Sequence, residues 1–220
     1  MDGTRIAELV SLGYAKSAAA TGTPFSLYRP TGPSNPVAGT PLMQFPVTIS
    51  ADSYRFRQPV TLGKPMRQIL VDTSQTRAGD YLVGQQTLFI ADQSPLLHVQ
   101  AVLCNDVLTV KRAAAPDAGV VDADPNDNII PAAYGGDVAG TEVLVLESWP
   151  ASVIQGTKGE KSDVGLPSET RSPWFNVMLP AAGATVLSND IAYDGNGQRY
   201  IISSVSSEGS VYRLTMMEAE

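Results

Sequence analysis

Apolar positions at Ile6, Leu9, Val10, Tyr14 and Ala18 recur at helical spacing and predict one helix over residues 4–20. Thr4 or Asp2 can cap it, and Gly22 with Pro24 can stop it. Its stripe is narrow and Ala-rich, which suits a helix docked on a neighbouring surface, either a partner or its own domain. After it the period shortens. Gln68–Asp72, Asp80–Val83, Gln86–Ile90, Leu97–Leu103 and Val107–Lys111 are short apolar runs divided by turn residues, the signature of a meander. A second series follows: Thr141–Trp149, Trp174–Leu179, Asp190–Tyr193, Tyr200–Ile202 and Val211–Met216. Asp194-Gly-Asn-Gly197 supplies positive φ at low cost and predicts a tight hairpin between two of these strands.

Two stretches break the pattern. Residues 25–52 carry Pro30, Pro33, Pro36, Pro41 and Pro46, a spacing that argues against a central strand and predicts an extended arm of the kind that lies across a partner. Residues 113–140 are rich in Ala, Gly, Asp, Asn and Pro and read as a linker or long surface loop. The resulting partition is a helix in 1–24, an arm in 25–52, a first β-domain in 53–112, a linker in 113–140 and a second, barrel-like β-domain in 141–220. The fold class is mainly β, with a short N-terminal helix followed by one or two small antiparallel β-barrel or sandwich units.

The halves echo one another. Gly79-Asp-Tyr-Leu-Val83, then Gln86 and Phe89-Ile90, then Leu103–Val110, has the order of Asn189-Asp-Ile-Ala-Tyr193, then Gln198 and Tyr200-Ile201, then Val211–Met216. An acidic residue opens a strand, an aromatic-aliphatic strand follows, and an apolar strand comes later. This suggests two related β-domains with a boundary inside 113–140, although meanders also generate such echoes.

Composition narrows the function classes. Apolar residues are 43% and charged residues 17%, below the usual quarter, and 19 Gly and 16 Pro are spread along the chain. A formal net charge of −7 and the absence of any basic stripe argue against nucleic-acid binding. No apolar run reaches the length of a membrane span, and the first residues show no basic segment followed by an apolar run, so no secretion signal is expected. A single cysteine, Cys104, excludes an intramolecular disulfide, as expected of a protein made in a reducing cytosol.

Candidate chemistry is sparse. His98 is the one histidine, it lies in the 97–103 strand candidate, and no G-x-S-x-G turn accompanies it, so a histidine-based hydrolase is not expected. Cys104 reads as an apolar filler, and one Cys with one His cannot close a zinc site within the chain. Asp122, Asp124, Asn126 and Asn128 have calcium-loop spacing, but Asp127 replaces the loop glycine and Ala133 the bidentate acid. Gly156–Ser162 resembles a phosphate loop except that Glu160 stands at its second glycine. For paired carboxylates of the glycosidase type the chain offers 22 Asp and Glu residues and no pattern that selects two of them. Trp149, Trp174, Tyr193, Tyr200 and Tyr212 are a possible binding face for sugar or protein, or ordinary sheet packing. We therefore expect no catalytic residue, no metal and no cofactor.

The C-terminal unit, Leu187–Tyr193, Gly197–Ile202 and Gly209–Met216, resembles the small β-barrel of head-closure and head–tail joining proteins of tailed bacteriophages. The whole chain resembles virion proteins of phage head–neck gene clusters through its N-terminal helix, Phe25–Pro30, Gly79–Val83 and Trp149–Ser152, in that order. The chain is longer than the smallest joining proteins, which fits two β-units better than a single minimal barrel. The resemblance implies a non-catalytic neck, collar or head–tail connector subunit, located in the virion after assembly in the host cytoplasm. Its partners would be copies of itself in a ring and other neck, portal or tail proteins. The expected assembly residues are Ile6, Leu9, Val10 and Tyr14 of the helix and Phe25, Tyr28, Arg29 and Pro30 of the arm. Alternatives are another virion position, such as a decoration, tail or baseplate protein, and a monomeric ligand-binding β-domain.

Overall fold

A computed structural model describes residues 3–50, 64–113, 142–156 and 173–219. Helix α1 (Gly3–Thr21) leads into β1 (Thr23–Tyr28), β2 (Met43–Ser50), β3 (Met66–Leu70), β4 (Tyr81–Val83), β5 (Thr87–Asp92) and β6 (Val99–Cys104). Strands β7 (Asp106–Ala113), β8 (Glu142–Gln155), β9 (Trp174–Pro180), β10 (Ile191–Tyr193), β11 (Arg199–Glu208) and β12 (Val211–Glu218) follow. The protein is mainly β, and its strands close into two antiparallel barrels of six strands each, in the orders β1-β2-β3-β6-β5-β4 and β7-β8-β9-β12-β11-β10.

Those orders are identical once β1–β6 are matched to β7–β12, and the registers correspond except along β7–β8, which carries two irregularities that β1–β2 lacks. Tyr28, Tyr81, Phe89, Val102 and Met66 face one another in turn across the first barrel. Lys111, Ile191, Ile201, Met217 and Trp174 do so across the second. Both barrels carry an irregularity at the same place, between Ile90 and Asp92 of β5 and between Ile202 and Ser204 of β11. The core of the first barrel contains Phe25, Leu27, Val47, Ile69, Leu82, Leu88 and Ile90. At the matching positions the second buries Leu108, Val110, Ala151, Val177, Ala192, Tyr200 and Ile202. The echo read in the sequence is therefore a tandem repeat of one barrel. Its third part is shifted, because β12 matches β6 rather than residues 103–110.

The segment expected to be an arm supplies β1 and β2, and β2 is an inner strand paired with both β1 and β3. Its prolines fit because Pro24 and Pro46 lie directly opposite each other, where neither needs to donate across the pair. β4 pairs with β1 only over Ser26–Tyr28, and β3 pairs with β2 only over Thr48–Ser50, so neither proline interrupts a second ladder. The barrels meet at Asn105, between β6 and β7, and not inside 113–140; β7 is thus the first strand of the second barrel. Residues 114–141 lie outside the described residues.

The barrels are docked through apolar surface. On β5, Leu88 and Ile90 point into the first core, while Phe89 and Ala91 join the cluster of the second barrel. Burial of both faces explains why β5 lacks alternation. Tyr81 donates its hydroxyl to the Pro150 carbonyl at 2.7 Å and meets the Trp149 ring edge-on, with centroids 6.2 Å apart. Trp149 Nε1 donates to the Pro33 carbonyl at 2.9 Å. Gly183, at φ 80°, passes so close that a Cβ would lie 2.5 Å from the Trp149 ring and 2.6 Å from the Gly32 carbonyl. Ala at 183 is therefore expected to cost about 2–4 kcal/mol by forced repacking and backbone strain. Gly197→Ala, at φ 82° but with open space around it, is expected to cost only about 1 kcal/mol. Urea unfolding of both variants checks the difference.

Candidate assembly site

Each barrel closes on a short seam, β1 against β4 and β7 against β10, and the same ion pair braces both. Arg29 follows β1 and holds Asp80, immediately before β4, by two bonds of 2.7 Å from Nε and Nη2. Arg112 of β7 holds Asp190, immediately before β10, at 2.7 and 2.8 Å. Each carboxylate also accepts a backbone N–H from three residues upstream, Arg77 in one case and Leu187 in the other. Gly79 and Asn189, both at positive φ, turn the chain so that the following Asp points inward. The aspartates are 1% and 2% exposed, so bidentate pairing is what makes their burial tolerable. Hydrogen bonding to the carboxylate holds each guanidinium above its ordinary pKa.

Helix α1 lies on β2 and β3. Gly22 ends it by donating to the Ala18 carbonyl at 2.8 Å, and a Cβ there would meet the Val47 backbone at 2.9 Å, so glycine is what lets the helix end approach the strand. Thr21 and Thr48 share a hydroxyl bond of 2.8 Å, Ser11 bonds Thr73, and the rings of Tyr14 and His98 lie 5.3 Å apart. The helix thus docks on its own domain. Its outer side leaves Ile6, Leu9 and Leu12 exposed. The turn before β6 adds Leu96 and Leu97, 51% and 62% exposed. Leu96 is held at φ 69°, an unfavourable conformation for a branched apolar residue. Leu12, Leu96 and Leu97 border a shallow cleft of about 500 Å³ together with Ser11, Tyr14 and Asp72.

The expected assembly residues divide accordingly. Ile6 and Leu9 are exposed on α1, and Val10 and Tyr14 are half-buried beside the cleft. Phe25 is 1% exposed in the first core, Tyr28 packs into the contact between barrels, and Arg29 is committed to Asp80. Those three stabilise the chain itself and present little surface to a partner; Pro30 is half-buried just beyond them. Sequence reasoning missed Leu12, which lies on α1 off the stripe of Ile6, Leu9, Val10, Tyr14 and Ala18, and it missed Leu96 and Leu97 because leucines at a turn carry no periodic signal.

The aromatic residues do not form one exposed face: Trp149 is fully buried, Tyr200 is 7% exposed, and Trp174, Tyr193 and Tyr212 are half-buried. Burial pushes the Tyr200 hydroxyl up to about 12, and neighbouring Asp194 adds to the shift. His98 precedes β6 rather than lying within it. No cluster of three or more His, Cys, Asp or Glu side chains suited to a metal occurs among the described residues. The calcium-like residues 122–128 lie outside them, as does all of the phosphate-loop pattern except Gly156.

Comparison of the chain with protein-family models, with curated proteins and with solved structures finds no match. The class defined by the fold is a tandem of two closed six-stranded barrels with a docked helix.

Burial pushes the Cys104 thiol up to about 12, against a usual value near 9. At pH 8 the thiolate fraction, and with it the alkylation rate in the native protein, is expected to fall about 10³-fold below that of an unperturbed thiol. Iodoacetamide labelling with and without urea checks this. Because the folded-state value is raised, the stabilisation from the neutral thiol is complete below its unfolded pKa near 9 and disappears as pH rises toward 12.

Proposed function

We propose that the protein is a structural subunit of a tailed-phage particle, a neck, collar or head–tail connector component that forms a ring between head and tail. The observation that carries this reading is one body built from two interlocked barrels, with apolar residues left exposed at the α1 end: Leu9, Leu12, Leu96 and Leu97. Exposed leucines beside a turn held at positive φ suit burial against another subunit better than permanent contact with water. The motifs on which the resemblance to head–neck proteins is read, Phe25–Pro30, Gly79–Val83 and Trp149–Ser152, fall on β1 and the two residues after it, on β4 with the residues just before it, and on β8. They include the Arg–Asp seam and the contact between barrels, so the resemblance rests on residues that build the fold. Partners would be copies of the chain and the portal, neck or tail proteins on either side, without sequence-specific nucleic acid and without membrane. A ligand-binding β-domain is the weaker reading, because the aromatic residues that would form its face are buried or half-buried within the fold.

Light scattering of the purified chain is expected to give a multiple of 23.3 kDa that grows with concentration. Leu12→Glu with Leu97→Glu is expected to shift the chain toward monomer while leaving its unfolding midpoint nearly unchanged, since both side chains are exposed. Immunogold labelling of the particles of the encoding phage is expected to mark the head–tail junction; label confined to the tail tip or the capsid surface would move the protein to another virion position.

A further inference from the structure

We propose that the outer face of β10–β12 docks the α1 end of a second copy of this chain, using in the second barrel the row that in the first barrel joins the two barrels. Resting on the assembly role above, the inference names the face and its occupant. In the first barrel the outer row Tyr81–Phe89–Val102 is completely buried, because it packs on the second barrel. The matching row in the second barrel is Ile191–Ile201–Met217, and there Ile191 is 8%, Ile201 39% and Met217 45% exposed. One face of a repeated unit is thus an established apolar interface in the first repeat, and among the described residues two of its three members are exposed in the second. Apolar residues persist at that face, where nothing in the folding of an isolated barrel requires them.

The occupant follows from what the buried row sits on. Strands β5 and β6 lie against β9 and β8, and the turn between β11 and β12 reaches across, with Ser210 donating to the Ala91 carbonyl. The counterparts of β8 and β9 are β2 and β3, and the counterpart of the Ser210 turn is the turn that carries Leu96 and Leu97. In this chain α1 already covers β2 and β3, while the first barrel covers β8 and β9. Both receiving faces are therefore filled within the subunit, and among the described residues the outer side of α1 together with the turn of Leu96 and Leu97 is exposed at that end. A contact between that end and the β10–β12 face joins two different surfaces, so it runs head to tail and yields a closed ring or a filament according to the rotation per subunit.

Two single-cysteine variants, each in a Cys104→Ser background, test the contact: Leu97→Cys and Ile201→Cys. Mixed and oxidised, they are expected to give a disulfide-linked dimer containing one of each, with little dimer from either alone. Dimer from Ile201→Cys alone would mean that the row packs on itself, and would overturn the head-to-tail contact. Separately, Ile201→Glu with Met217→Glu is expected to weaken self-association at least tenfold in light scattering. If association persists in that variant but is lost in Leu12→Glu with Leu97→Glu, the β10–β12 face is wrong while the assembly role stands. If the unaltered chain is a monomer at every concentration, both fail together.

Discussion

Barrel closure depends on a salt bridge that would be costly anywhere else in the fold. The seams β1–β4 and β7–β10 are short, because β4 and β10 are only three residues long, and three pairs of residues are a weak fastening for a closed sheet. Arg29 and Arg112 reach from the longer strand of each seam to a carboxylate set just ahead of the shorter one. The Asp80 and Asp190 backbones are held too, since the carbonyl of each accepts from the partner strand, from Ile90 and from Ile202, at 2.9 Å. Removing Arg29 would leave the buried Asp80 carboxylate with the Arg77 N–H and the Arg77 guanidinium 3.8 Å away, and removing Arg112 would leave that of Asp190 with the Leu187 N–H. Removing either aspartate would free the short strand at its entry point.

Much of this was legible in the sequence, and what was not has physical causes. The helix carries a periodic apolar pattern and ten of the twelve strands are apolar runs bounded by turn residues, and the Gly-Asp and Asn-Asp pairs that open β4 and β10 exposed the repeat. The strands β1 and β2 were hidden by proline, whose usual effect on a ladder is cancelled when two prolines face each other. The junction at Asn105 was hidden because β6 and β7 follow with a single residue between them, so composition does not change where the barrels divide. Alternation failed on β5 because packing of the barrels buries its second face. The surfaces left exposed were the least legible, since whether a leucine is covered depends on which face of a repeated unit has found a neighbour.

The tandem gives α1 a role that its narrow apolar stripe alone does not suggest. It covers on the first barrel the strands that correspond to those the first barrel covers on the second. The helix therefore ends a stacking series within the chain, as terminal units do in repeat proteins, and replaces a barrel-sized neighbour with nineteen residues. Its outer side and the adjacent turn keep Leu9, Leu12, Leu96 and Leu97 exposed.

Asn105 has a mechanical consequence. Its backbone N–H donates to the Ala151 carbonyl at 3.0 Å, while its side chain donates to the Val153 carbonyl at 2.8 Å and accepts from the Val153 N–H at 2.7 Å. The one residue between the barrels is clamped at three points to β8, and with Tyr81 and Trp149 packed alongside there is no hinge about which the halves could swivel. A load applied to one barrel therefore reaches the other through these hydrogen bonds and packed rings rather than through a slack linker.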